Sequence, residues 1–148
     1  MREIKFRAKI IRAGKWSKWI YGSLDFNKYT YQEARIVGYD DPVQYWHKID
    51  KNTIGQYTGL KDKNEKEIYE GDIVLYEDWE MATENGSGDS FINKGIIIYN
   101  ESNCCFDVTE KMTIEREDVL YEKNDTLEVI GNIYDNKEIL EYWKGITW

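Results

Sequence analysis

The hydrophobic pattern at the start of the chain alternates with a period of two residues. Residues 4–12 alternate: one face carries the apolar Ile4, Phe6, Ala8 and Ile10, and most of the residues between them are basic. Such alternation is typical of a strand with one buried and one exposed face. A turn over residues 13–15, which contains Gly14, leads into a second alternating run over residues 16–24. The two runs predict an N-terminal β-hairpin.

The strand pattern recurs along the rest of the chain. Further strands are predicted over residues 34–39, 43–49, 53–59, 73–76, 95–99, 104–109 and 127–134. Gly131 interrupts the last of these, as a β-bulge or a close backbone contact would. Asp135 or Asn136 can cap the apolar-striped segment that follows, which predicts a short C-terminal helix.

Two turns lie in the centre of the chain. Asp62–Glu65 is a charged reversal, in which we expect Asn64 to adopt a positive φ because Asn tolerates the left-handed region. Glu70–Asp72 is a second tight turn before an apolar strand. Residues 77–93 lose all periodicity and are rich in acids, which predicts a mobile acidic loop at about 77–93.

Short strands joined by Gly and Asn turns are typical of all-β folds. We therefore expect a mainly β fold, namely a small SH3-like or related β-barrel with an N-terminal hairpin and a short C-terminal helix. Since no internal repeat or boundary is apparent, residues 1–148 are expected to form a single domain.

Composition and charge narrow the range of partners. The chain has 12 Tyr, 6 Trp and 4 Phe, and aromatic side chains suit half-buried sheet surfaces. The net charge is −8, but residues 1–18 carry +6, which leaves −14 for the remainder. An acidic body repels phosphate backbones, which disfavours nucleic acid as a partner. No signal peptide and no membrane-spanning window are apparent, so we expect a soluble, cytoplasmic protein without a membrane partner.

Three sequence blocks resemble a known family. Residues 1–8, 56–74 and 128–134 resemble the opening, central signature and close of the YopX family of phage and prophage proteins. The resemblance implies a β-rich fold and a phage or prophage origin, and it carries over no catalytic residue. Glu65 stands where the family usually has glycine after Asn64; since Asn-Gly favours a type I′ turn, we expect another turn type. The signature positions, for which a structural role is expected, are Tyr57, Gly59, Leu60, Tyr69, Gly71, Asp72, Gly131 and Asn132.

Residues suited to catalysis are sparse. His47 is the only histidine and lies in a predicted strand, so a partly exposed structural residue is favoured over a catalytic base. Cys104 and Cys105 are adjacent, which favours two reduced thiols over a strained disulfide. One histidine and one cysteine pair do not supply a zinc site, and the numerous acids are most simply solvated surface. The sequence therefore predicts no catalytic residue, no metal site and no cofactor.

Three functional hypotheses follow. The first is a non-enzymatic phage or prophage accessory protein that contacts an unidentified host or phage protein and forms a homo-oligomer, because Tyr and Trp are favoured at interfaces. The second is a nucleic-acid-binding regulator that uses the basic and aromatic residues 1–31; in a variant, the acidic body imitates DNA. The third is a metal-dependent hydrolase. The candidate interaction surface consists of Arg7, Lys15, Trp16, Lys18 and Trp19.

Overall fold

The structure is a computed structural model. It describes residues 3–12, 14–26, 34–38, 46–79, 90–109, 120 and 125–145. The chain forms two compact units, Met1–Gly59 and Leu60–Trp148.

The first unit is built on one antiparallel sheet. Its strands lie in the order β4-β3-β2-β1-β5. Arg12 pairs with Lys15 across a turn in which Gly14 has a φ of +73°, which confirms the predicted N-terminal hairpin. The strands are β1 (Phe6–Arg12), β2 (Lys15–Phe26), β3 (Ala34–Gly38), β4 (Trp46–Lys48) and β5 (Gly55–Lys61), whose last two residues belong to the second unit.

The core of the first unit lies on one face of this sheet. Alternate residues of the strands meet there, as the period of two dictates. An isolated bridge from Ile10 to Ile49 joins the residue after β4 to β1. The buried core residues are Ala8, Ile10, Ile20, Ala34, Ile36 and Ile49.

A short 3₁₀ turn, Lys51–Thr53, follows β4 and was not predicted from the sequence. The Asp50 side chain accepts a hydrogen bond from the Asn52 amide, which caps the turn. The buried Thr53 Oγ1 accepts from the Lys9 amide at 2.9 Å and donates to the Asp50 carbonyl at 2.7 Å. The turn is thereby attached to β1.

Within the described residues, the second unit carries a four-stranded antiparallel sheet and a C-terminal helix. The sheet order is β10-β7-β8-β9, and the short strand β6 (Glu67–Tyr69) neighbours the end of β5. The other elements are β7 (Asp72–Trp79), β8 (Ser90–Asn100), β9 (Cys105–Thr109), β10 (Glu128–Asn132) and the helix α1 (Lys137–Gly145). The buried core consists of Ile68, Val74, Tyr76, Ile97, Val108, Leu120, Leu127 and Val129.

The predicted fold class is confirmed at the level of a mainly β protein with one short C-terminal helix. Within the described ranges the strands form no closed barrel, and the SH3-like barrel stays a prediction. The expected acidic loop is shorter than 77–93, because residues 77–79 pair with residues 90–92 as parts of β7 and β8. Residues 80–89 lie outside the described part of the chain.

None of the helical residues described here forms a segment with the length and apolarity needed to cross a membrane.

Candidate interaction surface

The predicted interaction surface is not a single exposed patch, because Arg7 is buried, with 5% of its surface exposed. The Arg7 guanidinium lies 4.8 Å from the centre of the Trp19 ring, and Lys9 Nζ lies at the same distance from that ring. Lys5 Nζ lies 5.0 Å from the Tyr57 ring. Cation–π contacts of this kind offset part of the cost of removing a charge from water. Lys5, Arg7 and Lys9 are therefore packed against aromatic rings.

The other predicted surface residues divide into two groups. Trp19 is half-buried as part of this packing, whereas Lys15, Trp16 and Lys18 are exposed. The Trp16 indole Nε1 donates to Asp50 Oδ2 at 2.8 Å, which restrains an exposed ring at the end of the hairpin. The structure therefore keeps three of the five predicted residues available to a partner.

A second set of residues, of which Arg35 and Val37 are half-buried and the others exposed, lies on the same sheet, on the face opposite the core. Residues directly opposite each other in neighbouring strands share a face. The register aligns Ser23 with Val37 and Val37 with Trp46, and the adjacent row aligns Asp25, Arg35 and Lys48. We call this set the outer patch; it comprises Tyr21, Ser23, Asp25, Arg35, Val37, Trp46 and Lys48.

The outer patch presents two aromatic rings beside basic groups. Tyr21 is 39% exposed and Trp46 is 55% exposed. The Arg35 guanidinium lies 4.0 Å from the centre of the Trp46 ring, so the ring is held in place by a cation–π contact. This patch was not predicted from the sequence, although the alternation in residues 34–39 and 43–49 was a signal for it.

The central and last signature blocks meet in the second unit around Asp62, which is 4% exposed. Its Oδ1 accepts hydrogen bonds from the amides of Asn64 at 2.8 Å and Lys66 at 3.0 Å. Its Oδ2 accepts from the Val129 amide at 2.9 Å, and the Lys63 amide donates to the Leu127 carbonyl. One carboxylate therefore joins the central turn to β10.

These contacts determine the protonation of Asp62. Burial raises the pKa of its carboxyl group, but the backbone hydrogen bonds from Val129, Lys66 and Asn64, with the Lys66 ammonium, outweigh that effect. The net result is a lowered pKa, because hydrogen bonds to a carboxylate favour its charged form.

The turn after Asp62 differs from the expected geometry in one respect. Glu65, not Asn64, adopts the positive φ, at +64°. The Glu65 amide donates to the Asp62 carbonyl, and the Asp62 amide donates to the Lys66 carbonyl. This is a three-residue loop ending in a left-handed residue, as in a type I turn with a bulge. The prediction that the turn is not type I′ is confirmed.

The second signature turn joins β6 to β7. Gly71 has a φ of +83°, a conformation that glycine adopts without strain. The buried Asp72 accepts a hydrogen bond from the Tyr69 amide at 2.8 Å, as predicted for a turn residue. The Gly71 amide donates to the Ile97 carbonyl, and the Gly71 carbonyl accepts from the Ile133 amide.

The last signature block contains the bulge, one of the two alternatives predicted for Gly131. The register with β7 shifts between Val129 and Gly131, which is a bulge. A Cβ atom on Gly131 would also lie 2.5 Å from Asn136 Oδ1. Asn136 Oδ1 accepts a hydrogen bond from the Asn132 amide. Asn132 Oδ1 in turn accepts hydrogen bonds from the amides of Tyr134 and Asp135. These bonds form the turn that leads into α1.

The remaining signature positions also lie in or beside packed structure. Tyr57, Tyr69 and the neighbouring Ile68 are buried, and Leu60 packs against the buried core of the second unit. Gly59 is exposed and has a φ of +94°. These positions hold backbone turns and core packing.

The residues considered for catalysis are dispersed. His47 lies half-buried in β4, as predicted, and Cys104 and Cys105 are free thiols, the first exposed and the second half-buried. Among the described residues, no three or more His, Cys, Asp or Glu side chains are grouped to hold a metal ion.

One cavity of about 420 Å³ lies in the second unit. Leu75 and Ile92 contribute apolar surface, and Lys63 and Glu128, which also line it, form an ion pair at 2.6 Å. The cavity therefore combines apolar surface with charges, and the Lys63 ammonium in its lining is already paired with Glu128.

Together these features define a mainly β protein with hydrogen-bonded signature turns and an exposed aromatic and basic patch. The profile of the YopX family, described as YopX protein, matches residues 5–141. The chain belongs to the YopX family.

Comparisons with individual proteins agree on the fold. The chain is similar to the crystal structure of protein EF1440 from Enterococcus faecalis, with 25% sequence identity and a TM-score of 0.51. The match covers 95% of this chain and 99% of that one. No curated protein matches the chain.

Proposed function

We propose that this YopX protein is a non-enzymatic accessory protein of phage or prophage origin that acts through protein contacts. It works in the cytoplasm of the host cell and associates with further copies of itself. Membership of the YopX family supports the origin, and the structural role of the signature turns supports a function without a reaction.

The observation that carries the proposal is the set of large apolar side chains exposed on β8. Phe91 is 41% exposed, Ile92 is 64% exposed and Tyr99 is 46% exposed. The Tyr99 ring makes an edge contact with Phe106 at a centroid distance of 5.4 Å. Phe91 and Tyr99 lie near opposite ends of β8, and Ile92 lies on the other face of the strand, because side chains alternate between the faces. Exposed apolar side chains favour contact with a protein, and a second copy offers the same residues in a symmetric contact.

The test is sedimentation velocity with a matched pair of variants. Ile92 and Ile4 have the same exposed fraction, 64%, but they lie in different units. We expect the wild type to sediment as a dimer or larger species at about 10 μM, Ile92→Lys to raise the dissociation constant about tenfold or more, and Ile4→Lys to leave it unchanged. A monomeric wild type, or an equal effect of the two variants, contradicts the proposal.

A further inference from the structure

The outer patch contains two exposed aromatic rings, and one of them, Trp46, is held in place by a cation–π contact. The Arg35 guanidinium covers part of the Trp46 ring at 4.0 Å, while 55% of the residue remains exposed. Tyr21 offers a second ring two strands away on the same face. A fixed, exposed ring loses little conformational entropy when a planar group stacks on it.

The charge of the first unit favours an anionic partner. Residues 1–59 contain eleven Lys and Arg and six Asp and Glu, for a net charge of +5. The second unit has nine basic and twenty-two acidic residues, for a net charge of −13. The acidity of the whole chain is therefore a property of the second unit. The net charge of the whole chain therefore gives no reason to exclude nucleic acid as a partner of the first unit.

Stacking and positive charge together specify the partner. The bases of a duplex are already stacked on one another, whereas the bases of a single strand are free to stack on aromatic side chains. An acidic protein segment matches the charge, but its carboxylates do not stack on a ring, whereas every nucleotide carries both a phosphate and a planar base. Lys48 is exposed at the end of the Arg35 row, where a phosphate can approach it.

We propose that the outer patch binds single-stranded nucleic acid, with bases stacked on Trp46 and Tyr21 and phosphates near Arg35 and Lys48. The buried Lys5, Arg7 and Lys9 take no part in this binding, because they are packed against Trp19 and Tyr57. The site therefore lies on β2–β4, rather than in residues 1–31 as a whole.

The experiment is fluorescence anisotropy with the full chain and a labelled oligothymidylate of about 20 nucleotides, over about 20 to 200 mM KCl. Trp46→Ala and Tyr21→Ala are each expected to weaken binding by about tenfold, and Trp46→Phe to retain most of it, because a ring remains for stacking. Lys48→Gln is expected to reduce the slope of log K against log salt by about 0.7. The control is Ile4→Ala, since Ile4 is also exposed, at 64%, and belongs neither to the outer patch nor to β8.

Each alternative outcome is distinct. Absence of binding at the lowest salt concentration overturns the proposal. Equal loss with Ile4→Ala, or no loss with Trp46→Ala, shows that the outer patch is not the site. Competition by polyglutamate as strong as by the oligonucleotide shows that the patch takes an acidic protein segment instead. Unchanged melting temperatures of the variants establish that each measured loss concerns binding.

Discussion

Replacing Asp62 by Asn is expected to destabilise the second unit, because a single carboxylate satisfies three backbone amides there. The two oxygens are engaged on opposite sides, with Asn64 and Lys66 on Oδ1 and Val129 on Oδ2. An amide side chain has one acceptor oxygen. The Asn oxygen can therefore accept only the hydrogen bonds made by one of the two Asp62 oxygens. The NH₂ group then faces a backbone N–H, which is also a donor.

The expected cost follows from the number of bonds. A hydrogen bond to a charged group contributes about 1.5–3 kcal/mol, and a buried amide left without a partner costs about 1–3 kcal/mol. Because Asn loses at least one bond and weakens the others by removing the charge, the free energy of unfolding should fall by about 3 kcal/mol. The matched control is Asp125→Asn, at an exposed position in the same unit, which should change stability by less than about 0.5 kcal/mol.

The pH dependence gives an independent signature. The folded pKa of Asp62 lies below its ordinary value, so the carboxylate contributes its full stabilisation above the unfolded pKa of about 3.9. That contribution is lost as the pH falls through the folded pKa, and the difference between wild type and Asp62→Asn should shrink below about pH 4.

The assay is urea denaturation followed by tryptophan fluorescence, at neutral and acidic pH. Hydrogen exchange of the Asn64, Lys66 and Val129 amides should report the same loss locally. An unfolding free energy within about 0.5 kcal/mol of wild type, or a difference that does not change with pH, would refute this role of Asp62.

Two further predictions concern backbone geometry. Glu65→Gly should stabilise the protein by about 0.5–1 kcal/mol in chemical denaturation, because the φ of +64° strains a side chain and the exposed Lys61–Glu65 ion pair that is lost contributes little. Glu65→Ala, which keeps the strain, should give no such gain, and equal stability of the two variants would rule out the strain. Gly131→Ala should cost about 2 kcal/mol, because its Cβ would lie 2.5 Å from Asn136 Oδ1. In an Asn136→Ala background the same change should cost less, and a full cost there would exclude the clash as its cause.

Sequence alternation predicted most of the strands, because the side-chain period is a local property of the backbone. The bulge at Gly131 was also predictable, since a glycine in a strand interior often marks a bulge or a close backbone contact. The burial of Arg7 was not predictable, because a charged side chain on the face opposite the apolar one is ordinarily solvated. The contact that buries it depends on pairing Lys9 with Trp19 across the hairpin, and Lys5 meets Tyr57 only through pairing with β5.

The importance of Asp62 was equally hidden in the sequence. An Asp two residues before an Asn in a charged reversal suggests a local turn, but nothing local connects it with Val129, which is 67 residues away. The outer patch is non-local in the same way, since Arg35 and Trp46 become neighbours only through the register of β3 and β4.

The claim that this YopX protein acts through contacts with further copies of itself is tested most directly by its molar mass. The mass is measured by light scattering on the wild-type protein at increasing micromolar concentration. We expect a mass of two or more chains that increases with concentration. A mass of 17.7 kDa, that of one chain, at every concentration would contradict the claim.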